Sequence, residues 1–514
     1  MLIESVNPAT GQVIGKVEAT PPSYIPNIID AARHAQQDWT QLSHERRIHI
    51  IKEFGRMLFR GKRKIADMIA EENGKPVVET YTSEIIPTFA MINYFAKNFH
   101  RILRPRDVRI VIPLLKTKKA WVTNEPYGVV GIISPWNYPL LLPLGQIVPA
   151  LLAGNAVVFN PSEYTPIIGE KLSELLWESG IPKKVFNLIQ GGSEVGASLV
   201  SSGVDKLFFT GSTTTGKKVS ELAAKNLTPV SLELGGKDAM IVLDDAYLEA
   251  AASGATWGAF MNAGQTCVSI ERCFVHEKIY DQFVATILEK IKKLRLGAGT
   301  DPETDLGPMI HDMQFDIVQR HLKDATQRGA KIITGGVFAS KSTNLIQPTI
   351  LIDVSMDSIL MNEETFGPVL PIIKFASDEE AIELTNHSRF GLSVSVWTRD
   401  KNRGIKIARR LHAGAAIVND VISYYGMSDG VVGGAKESGS GRIHGKDGLL
   451  EMVNPKYYEI EGAPRLKKLW WYSYNKETLS FFETATDFLF AEKFLPRIKS
   501  LFKLIPKFLR IKKI

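Results

Sequence analysis

Cys267 is one of only two cysteines in the 514-residue chain, and it stands in Asn262-Ala-Gly-Gln-Thr-Cys-Val-Ser269. Glu233 lies 34 positions upstream, in Leu232-Glu-Leu-Gly-Gly-Lys237. A thiolate attacks carbonyl carbon readily, and a carboxylate can activate the water that later releases a captured acyl group. Alone, a cysteine is more often a small buried apolar residue, and a glutamate in a glycine frame can be purely structural. Asn137, in Ser134-Pro-Trp-Asn-Tyr-Pro139, follows a predicted strand, at the end where open α/β sheets place ligands. Its amide could donate to a developing oxyanion, an interaction of about 3–4 kcal/mol, although an asparagine in a proline-bounded turn needs no such role. Gly211-Ser-Thr-Thr-Thr-Gly216 sits at a strand-to-helix junction, where free backbone N–H groups attract anions. Gly211 to Lys217 matches most of a phosphate loop. Lys218, however, replaces the Ser or Thr that would ligate magnesium, which disfavours a triphosphatase. The Gly-x-Gly-x-x-Gly dinucleotide fingerprint is missing as well.

These residues need a scaffold, and the flanking pattern predicts one. Tyr127–Ser134, Asn155–Asn160, Lys184–Ile189 and Lys206–Thr210 read as buried parallel strands, short and rich in branched or aromatic residues. Leu140–Leu152, Pro166–Ser179 and a segment from about Lys217 to Lys225 read as the helices between and after them. Strands alternating with helices predict a doubly wound α/β sheet. The pattern restarts after Gly235-Gly236 with the strand Ala239–Leu243 and the helix Leu248–Phe260, which marks a second α/β domain. Lys118–Glu125 and Val453–Glu461 read as lone edge strands, of the kind that pair across subunits.

Length calls for two or more domains, and the hydrophobic fraction of 44% with 23% charged residues is that of a globular protein. Two cysteines make no disulfide framework, and the N-terminus shows no secretory signal, so a reducing, cytoplasmic setting is expected. Nothing points to nucleic acid. The net charge of +7 is concentrated at one end: residues 463–514 carry twelve Lys and Arg against four Asp and Glu. That tail also holds Trp470, Trp471, Tyr472 and Tyr474, and its end places Ile498, Leu501, Phe502 and Ile505 on one helical face. Pro496 and Pro506 are expected to break it into short helical pieces. No uncharged run reaches the roughly 18 residues that a spanning helix needs. The tail therefore suits an anionic membrane surface, or packs on the body or a partner subunit.

Taken together, the motifs resemble the aldehyde dehydrogenase superfamily over roughly residues 5–460. The resemblance rests on Asn7-Pro-Ala-Thr-Gly11, Pro135-Trp-Asn-Tyr-Pro139, Pro161-Ser-Glu163 with Thr165-Pro166, Phe209-Thr-Gly-Ser212, Glu233-Leu-Gly-Gly-Lys237, Gly264-Gln-Thr-Cys267, Glu364-Thr-Phe-Gly-Pro368 and Lys436-Glu-Ser-Gly439. It implies an NAD(P)-binding domain from residues 1–110, 127–234 and 431–452, and a catalytic thiol domain from 235–430. It also implies oligomerisation strands at 111–126 and 453–462, serving a homodimer or homotetramer. Cys267 would be the nucleophile, Asn137 an oxyanion donor and Glu233 the base for thioester hydrolysis, with no metal. Cofactor contacts would come from Trp136, Glu163, Gly211, Ser212, Glu364 and Phe366. Glu163 would bind adenosine ribose hydroxyls and repel a 2′-phosphate, favouring NAD, with NADP the alternative. Asn160 departs from the family, which usually has a ribose-contacting Lys there. Cys273 matches no catalytic position. The tail suggests a hydrophobic or membrane-derived aldehyde. The rival readings are a soluble succinate-semialdehyde type, whose substrate carboxylate needs a cation such as Arg389 or Arg399, and a non-catalytic membrane-surface scaffold on the same fold.

Overall fold

The computed structural model describes residues 2–340 and 343–511, so residues 512–514 of the basic tail lie outside the described residues. The chain falls into two compact units, Met1–Arg104 with Asn124–Pro455, and Pro105–Thr123 with Lys456–Ile514.

The first unit is built on two sheets. One has six strands in the order Gly439–Ser440, Val230–Glu233, Lys206–Thr210, Val129–Ile133, Ala156–Asn160, Phe186–Leu188. Its last five strands are parallel, while Gly439–Ser440 runs antiparallel to Val230–Glu233. Counted along the chain, those five lie in the order 3-2-1-4-5, the dinucleotide-binding arrangement. The strand direction of travel reverses between Val129–Ile133 and Lys206–Thr210, which opens a crevice at their carboxyl ends. The other sheet has seven strands in the order Lys331–Thr334, Thr349–Ile352, Val369–Phe375, Ile270–His276, Asp238–Val242, Ser393–Trp397, Ala415–Val418. Only Lys331–Thr334 is antiparallel to its neighbour.

The predicted elements reappear with small shifts in their ends. The strand Lys206–Thr210 and the helix Leu248–Phe260 have the expected bounds, and the apolar stretch expected at Leu140–Leu152 is the helix Leu141–Ala153, buried along its whole length. The helix expected from Lys217 begins instead at Thr213. Ser212 Oγ caps it by accepting from Thr215 N at 3.3 Å, so the helix N-terminus lies directly behind Gly211.

In the second unit, the two strands expected as lone edges are neighbours. A three-stranded sheet runs Val453–Glu461, Lys118–Pro126, Arg106–Asp107. Trp121 stacks on Tyr458 at 5.7 Å, and Lys118 pairs with Glu459. Two helices follow, Lys476–Phe490 and Phe494–Ile511. The expected breaks are absent: the second helix runs through both prolines. Pro496 falls in its first turn, where a backbone N–H has no helical partner to lose, and Pro506 forfeits one interior bond. Among the described residues no helix is long and apolar enough to cross a membrane.

Candidate active site

The crevice predicted by strand order is where the candidate residues gather. Pro135, Trp136 and Asn137 follow the strand Val129–Ile133, Gly211 and Ser212 follow Lys206–Thr210, and Glu233 ends Val230–Glu233. Together with Cys267, Glu364 and Phe366 they line one cleft of about 450 Å³. Glu163 is not among its lining residues. It lies beside Gly192, where a Cβ would come 3.1 Å from Glu163 Oε1. Asn160 is buried, and its amide donates to the carbonyls of Pro161, Ile189 and Gly191 at 3.1, 3.3 and 3.0 Å. It therefore supplies packing where the family usually has a cation.

The cysteine is presented by a strained turn. Asn262, Ala263 and Gly264 have φ of 52°, 54° and 72°, three successive left-handed residues, two of which carry a Cβ that this conformation disfavours. The turn persists because its polar groups are held from several sides. Asn262 N donates to Glu79 Oε2 at 2.8 Å, and Asn262 Nδ2 donates to the carbonyls of Asn137 and Gln265. The buried Gln265 amide donates to Asn262 O at 3.0 Å and Pro308 O at 3.3 Å, and accepts from Ile310 N at 2.9 Å. A Cβ on Gly264 would run into the carbonyl of Gly367.

Two buried ion pairs, which motif reading did not single out, fix the walls. Lys75 Nζ lies 2.7 Å from Glu84 Oε1 and donates to Asn137 O at 2.6 Å, with no exposure of either side chain. Glu84 Oε2 accepts from Leu140 N and Leu141 N at 2.8 and 3.2 Å, capping the buried helix that follows Asn137. On the other wall Lys237 pairs with Glu271 and donates to Thr365 Oγ1 at 2.9 Å. Glu271 accepts from Thr365 N and Phe366 N at 2.7 and 2.8 Å. Glu364 accepts from Gly236 N at 3.1 Å, and it lies so close over Gly235 that no Cβ fits there. Lys75 and Asn137 are 62 positions apart, so no local pattern signals their contact.

Cys267 also lines a second cavity of about 240 Å³. Its walls include Tyr138, Leu141, Leu142, Trp257, Met261 and Tyr425, and no Lys, Arg or His lines it among the described residues. The thiol thus sits where a polar, glycine-edged cleft meets an apolar chamber. Arg389 borders the polar cleft and is paired with Glu437 at 2.8 Å, while Arg399 lies over the Tyr247 ring.

The acids of the site resist ionising. Burial lifts Glu233 to about 8, with Glu451 adding to the shift and Arg442 opposing it. Burial likewise lifts Glu364 to about 8, helped by Glu271. Burial, and then the carboxyl groups of Glu364, Asp238 and Glu233, push the Cys267 thiol well above the usual range. Glu233 Oε1 and Asn137 Oδ1 have no hydrogen-bond partner among the described residues, whereas Asn137 Nδ2 donates one hydrogen to Gln265 O at 3.1 Å. Any cation entering the cleft would favour the ionised forms of the thiol and carboxyls.

Two sheets, one with the strand order of dinucleotide-binding proteins, meet at a cleft that Cys267 lines, an arrangement able to hold a nucleotide beside a thiol. The helix N-terminus behind Gly211, and the Trp136 and Phe366 rings 5.5 Å apart, suit such a nucleotide. The family model described as aldehyde dehydrogenase family matches residues 1–458, and the chain belongs to that family, whose members are NAD(P)-dependent oxidoreductases. It is 36% identical over 490 residues to a 4,4′-diapolycopene aldehyde oxidase of Methylomonas sp, covering 95% of this chain and 92% of that one. A putative succinate-semialdehyde dehydrogenase [NADP(+)] of Mycolicibacterium smegmatis is 38% identical over 423 residues, 82% of this chain and 81% of the other. Among solved structures, the NAD+ complex of betaine aldehyde dehydrogenase from Staphylococcus aureus superposes with a TM-score of 0.87 at 32% identity, covering 92% and 94% of the two chains.

Replacing Lys75 by Met strands the Glu84 carboxylate and is expected to cost roughly 3–5 kcal/mol of stability. Adding Glu84→Gln should recover much of the melting temperature but little of kcat, because the Asn137 carbonyl still lacks its anchor. The Glu233 shift gives a second expectation. A base must be ionised, so hydrolytic turnover should rise with pH up to about 8, and Glu233→Gln should remove that limb. The linked stability has the opposite sign. The folded carboxyl titrates above its ordinary 4.5, so burial costs least in acid and stability falls as pH rises from 4.5 to about 8. The Gln variant should therefore melt above wild type in alkaline buffer.

Proposed function

We propose that the protein oxidises a hydrophobic, long-chain aldehyde to its carboxylic acid with NAD as hydride acceptor, through a Cys267 thioester. The observation that carries this reading is the position of Cys267 between the polar cleft and a cation-free apolar chamber. The chamber would hold an alkyl or polyene chain, while a substrate carboxylate would find no partner there. That weighs against the semialdehyde alternative, although several relatives are named for it. The relative named for a 4,4′-diapolycopene aldehyde aligns over 95% of this chain, more than the 82% of the semialdehyde type, and supports the apolar choice.

The chemistry divides among the chain's own residues. Cys267 gives up its proton to solvent water in the cleft and attacks the aldehyde carbon as thiolate, so Glu233 stays free for the later step. The second amide hydrogen of Asn137 and the Cys267 backbone N–H hold the resulting thiohemiacetal oxyanion. The bound nicotinamide supplies the hydride-accepting carbon. Loss of hydride from the captured carbon leaves a thioester on Sγ, and Glu233 then takes a proton from the water that attacks it. Sγ leaves as thiolate and the acid departs.

Trp136, Gly211, Ser212, Glu364 and Phe366 are the cofactor-facing set, and Glu163 is the ribose-facing carboxylate that disfavours a 2′-phosphate. In this division residues 1–110, 127–234 and 431–452 carry the cofactor, 235–430 carry the thiol, and the strands in 111–126 and 453–462 serve a homodimer or homotetramer. Residues 463–514 meet an anionic membrane surface.

An absorbance assay at the NADH band with decanal and succinate semialdehyde, each with NAD and NADP, tests the reading. NAD with decanal should give the highest kcat/KM, and Cys267→Ala should give none. A preference for the semialdehyde would overturn the substrate assignment, and turnover by Cys267→Ala would overturn the mechanism.

A further inference from the structure

The two tail helices form a hairpin in which the second leaves much of its apolar surface exposed. Polar bonds join it to the first: Lys507 Nζ donates to Ser480 O, Ser480 Oγ and Thr484 Oγ1 at 3.0, 2.7 and 2.6 Å. Arg497 ties the turn by donating to the carbonyls of Phe488 and Leu489 at 3.1 and 3.0 Å. Among its residues whose burial is described, Ser500 is the buried side chain, with Ile498, Leu504 and Lys507 half-buried. Meanwhile Phe494, Leu495 and Phe502 are 75%, 70% and 71% exposed. With Ile498, Leu501 and Ile505 they share one sector about 120° wide on the helix. In water an amphipathic helix points that sector at a core. Here Phe494, Leu495, Phe502 and Ile505 of that sector stay well exposed, and Ile498 is half-buried.

What covers the sector follows from charge and length. Arg497, Lys499 and Lys503 flank it, with stems long enough to lie along apolar surface while their charges stay in water. A second copy of the same face would bring the same cations against these, and the chain's net positive charge is concentrated in the tail. An anionic lipid surface satisfies both features, and with no helix able to span, the fit is in the interface plane.

We propose that the helix Phe494–Ile511 lies flat in an anionic membrane interface with the Phe494–Phe502 sector inserted among the acyl chains, the polar hairpin seam staying closed behind it. This rests on the reading of residues 463–514 as membrane-meeting and adds the face that enters and the manner of binding. Insertion would hold the enzyme where apolar aldehydes dissolve, so a partitioned substrate need not cross water to reach it.

Co-sedimentation of the full chain with phosphatidylcholine vesicles, with and without phosphatidylglycerol, tests this at low and high salt. Wild type should bind the anionic vesicles and keep a substantial fraction bound at high salt, because an inserted face is not screened. Phe494→Ser with Phe502→Ser should weaken binding on the order of tenfold per ring removed. Lys499→Glu with Lys503→Glu should weaken it about fivefold per residue. Both variants should keep wild-type turnover of a short water-soluble aldehyde, which shows that they fold. Equal binding by wild type and the double Phe variant, with all binding lost in salt, would mean surface adsorption and overturn the inserted face while sparing the membrane reading. No vesicle binding by wild type would overturn both, and light scattering showing that the Phe variant splits an oligomer would assign the face to a second copy.

Discussion

A lysine ammonium taken wholly out of water is tolerable only beside a carboxylate whose remaining lone pairs are also satisfied. The chain meets that demand twice, at Lys75 with Glu84 and at Lys237 with Glu271, and in both places the satisfying groups belong to the active-site loops. Glu84 accepts from the backbone just beyond Asn137, and Glu271 accepts from the backbone of Thr365 and Phe366. Charge compensation in the core and the geometry of the cleft are thus one requirement. The strained Asn262–Gly264 turn hangs on the same framework, since Asn262 reaches the Asn137 carbonyl that Lys75 holds from the other side.

The second consequence of burial is electrostatic. Three acidic groups and a thiol share a poorly hydrated space, so each resists ionising while its neighbours are charged. Burial lifts Glu233 to about 8, and a carboxylate that ionises near 8 is a far better proton acceptor than one that ionises near 4.

Much of this was legible in the sequence. The strands Lys206–Thr210 and Val129–Ile133 are continuous branched runs bounded by turn residues, and their carboxyl ends had to carry the ligand loops. Cys267, Glu233 and Asn137 were recognisable because their flanking glycines and prolines are themselves a pattern. The ion pairs were not legible, since Lys75 and Glu84 sit in helical and turn segments whose local sequence gives no sign of contact with residue 137. The strands Lys118–Pro126 and Val453–Glu461 looked like lone edges because their pairing spans over three hundred positions. The prolines of the tail misled for a simpler reason: one falls in a first turn, where proline is harmless. Helix periodicity did anticipate the apolar sector, but only coordinates show that most of it stays exposed while Lys507 reaches Ser480 and Thr484 of the neighbouring helix.

The central claim is that Cys267 carries the acyl group until Glu233 activates water. Intact-protein mass spectrometry of Glu233→Gln, mixed with NAD and decanal and quenched in acid, tests it most directly. The account predicts a decanoyl adduct that peptide mapping places on Cys267, formed with one equivalent of NADH. NADH released in multiple turnovers with no adduct on Cys267 would contradict it.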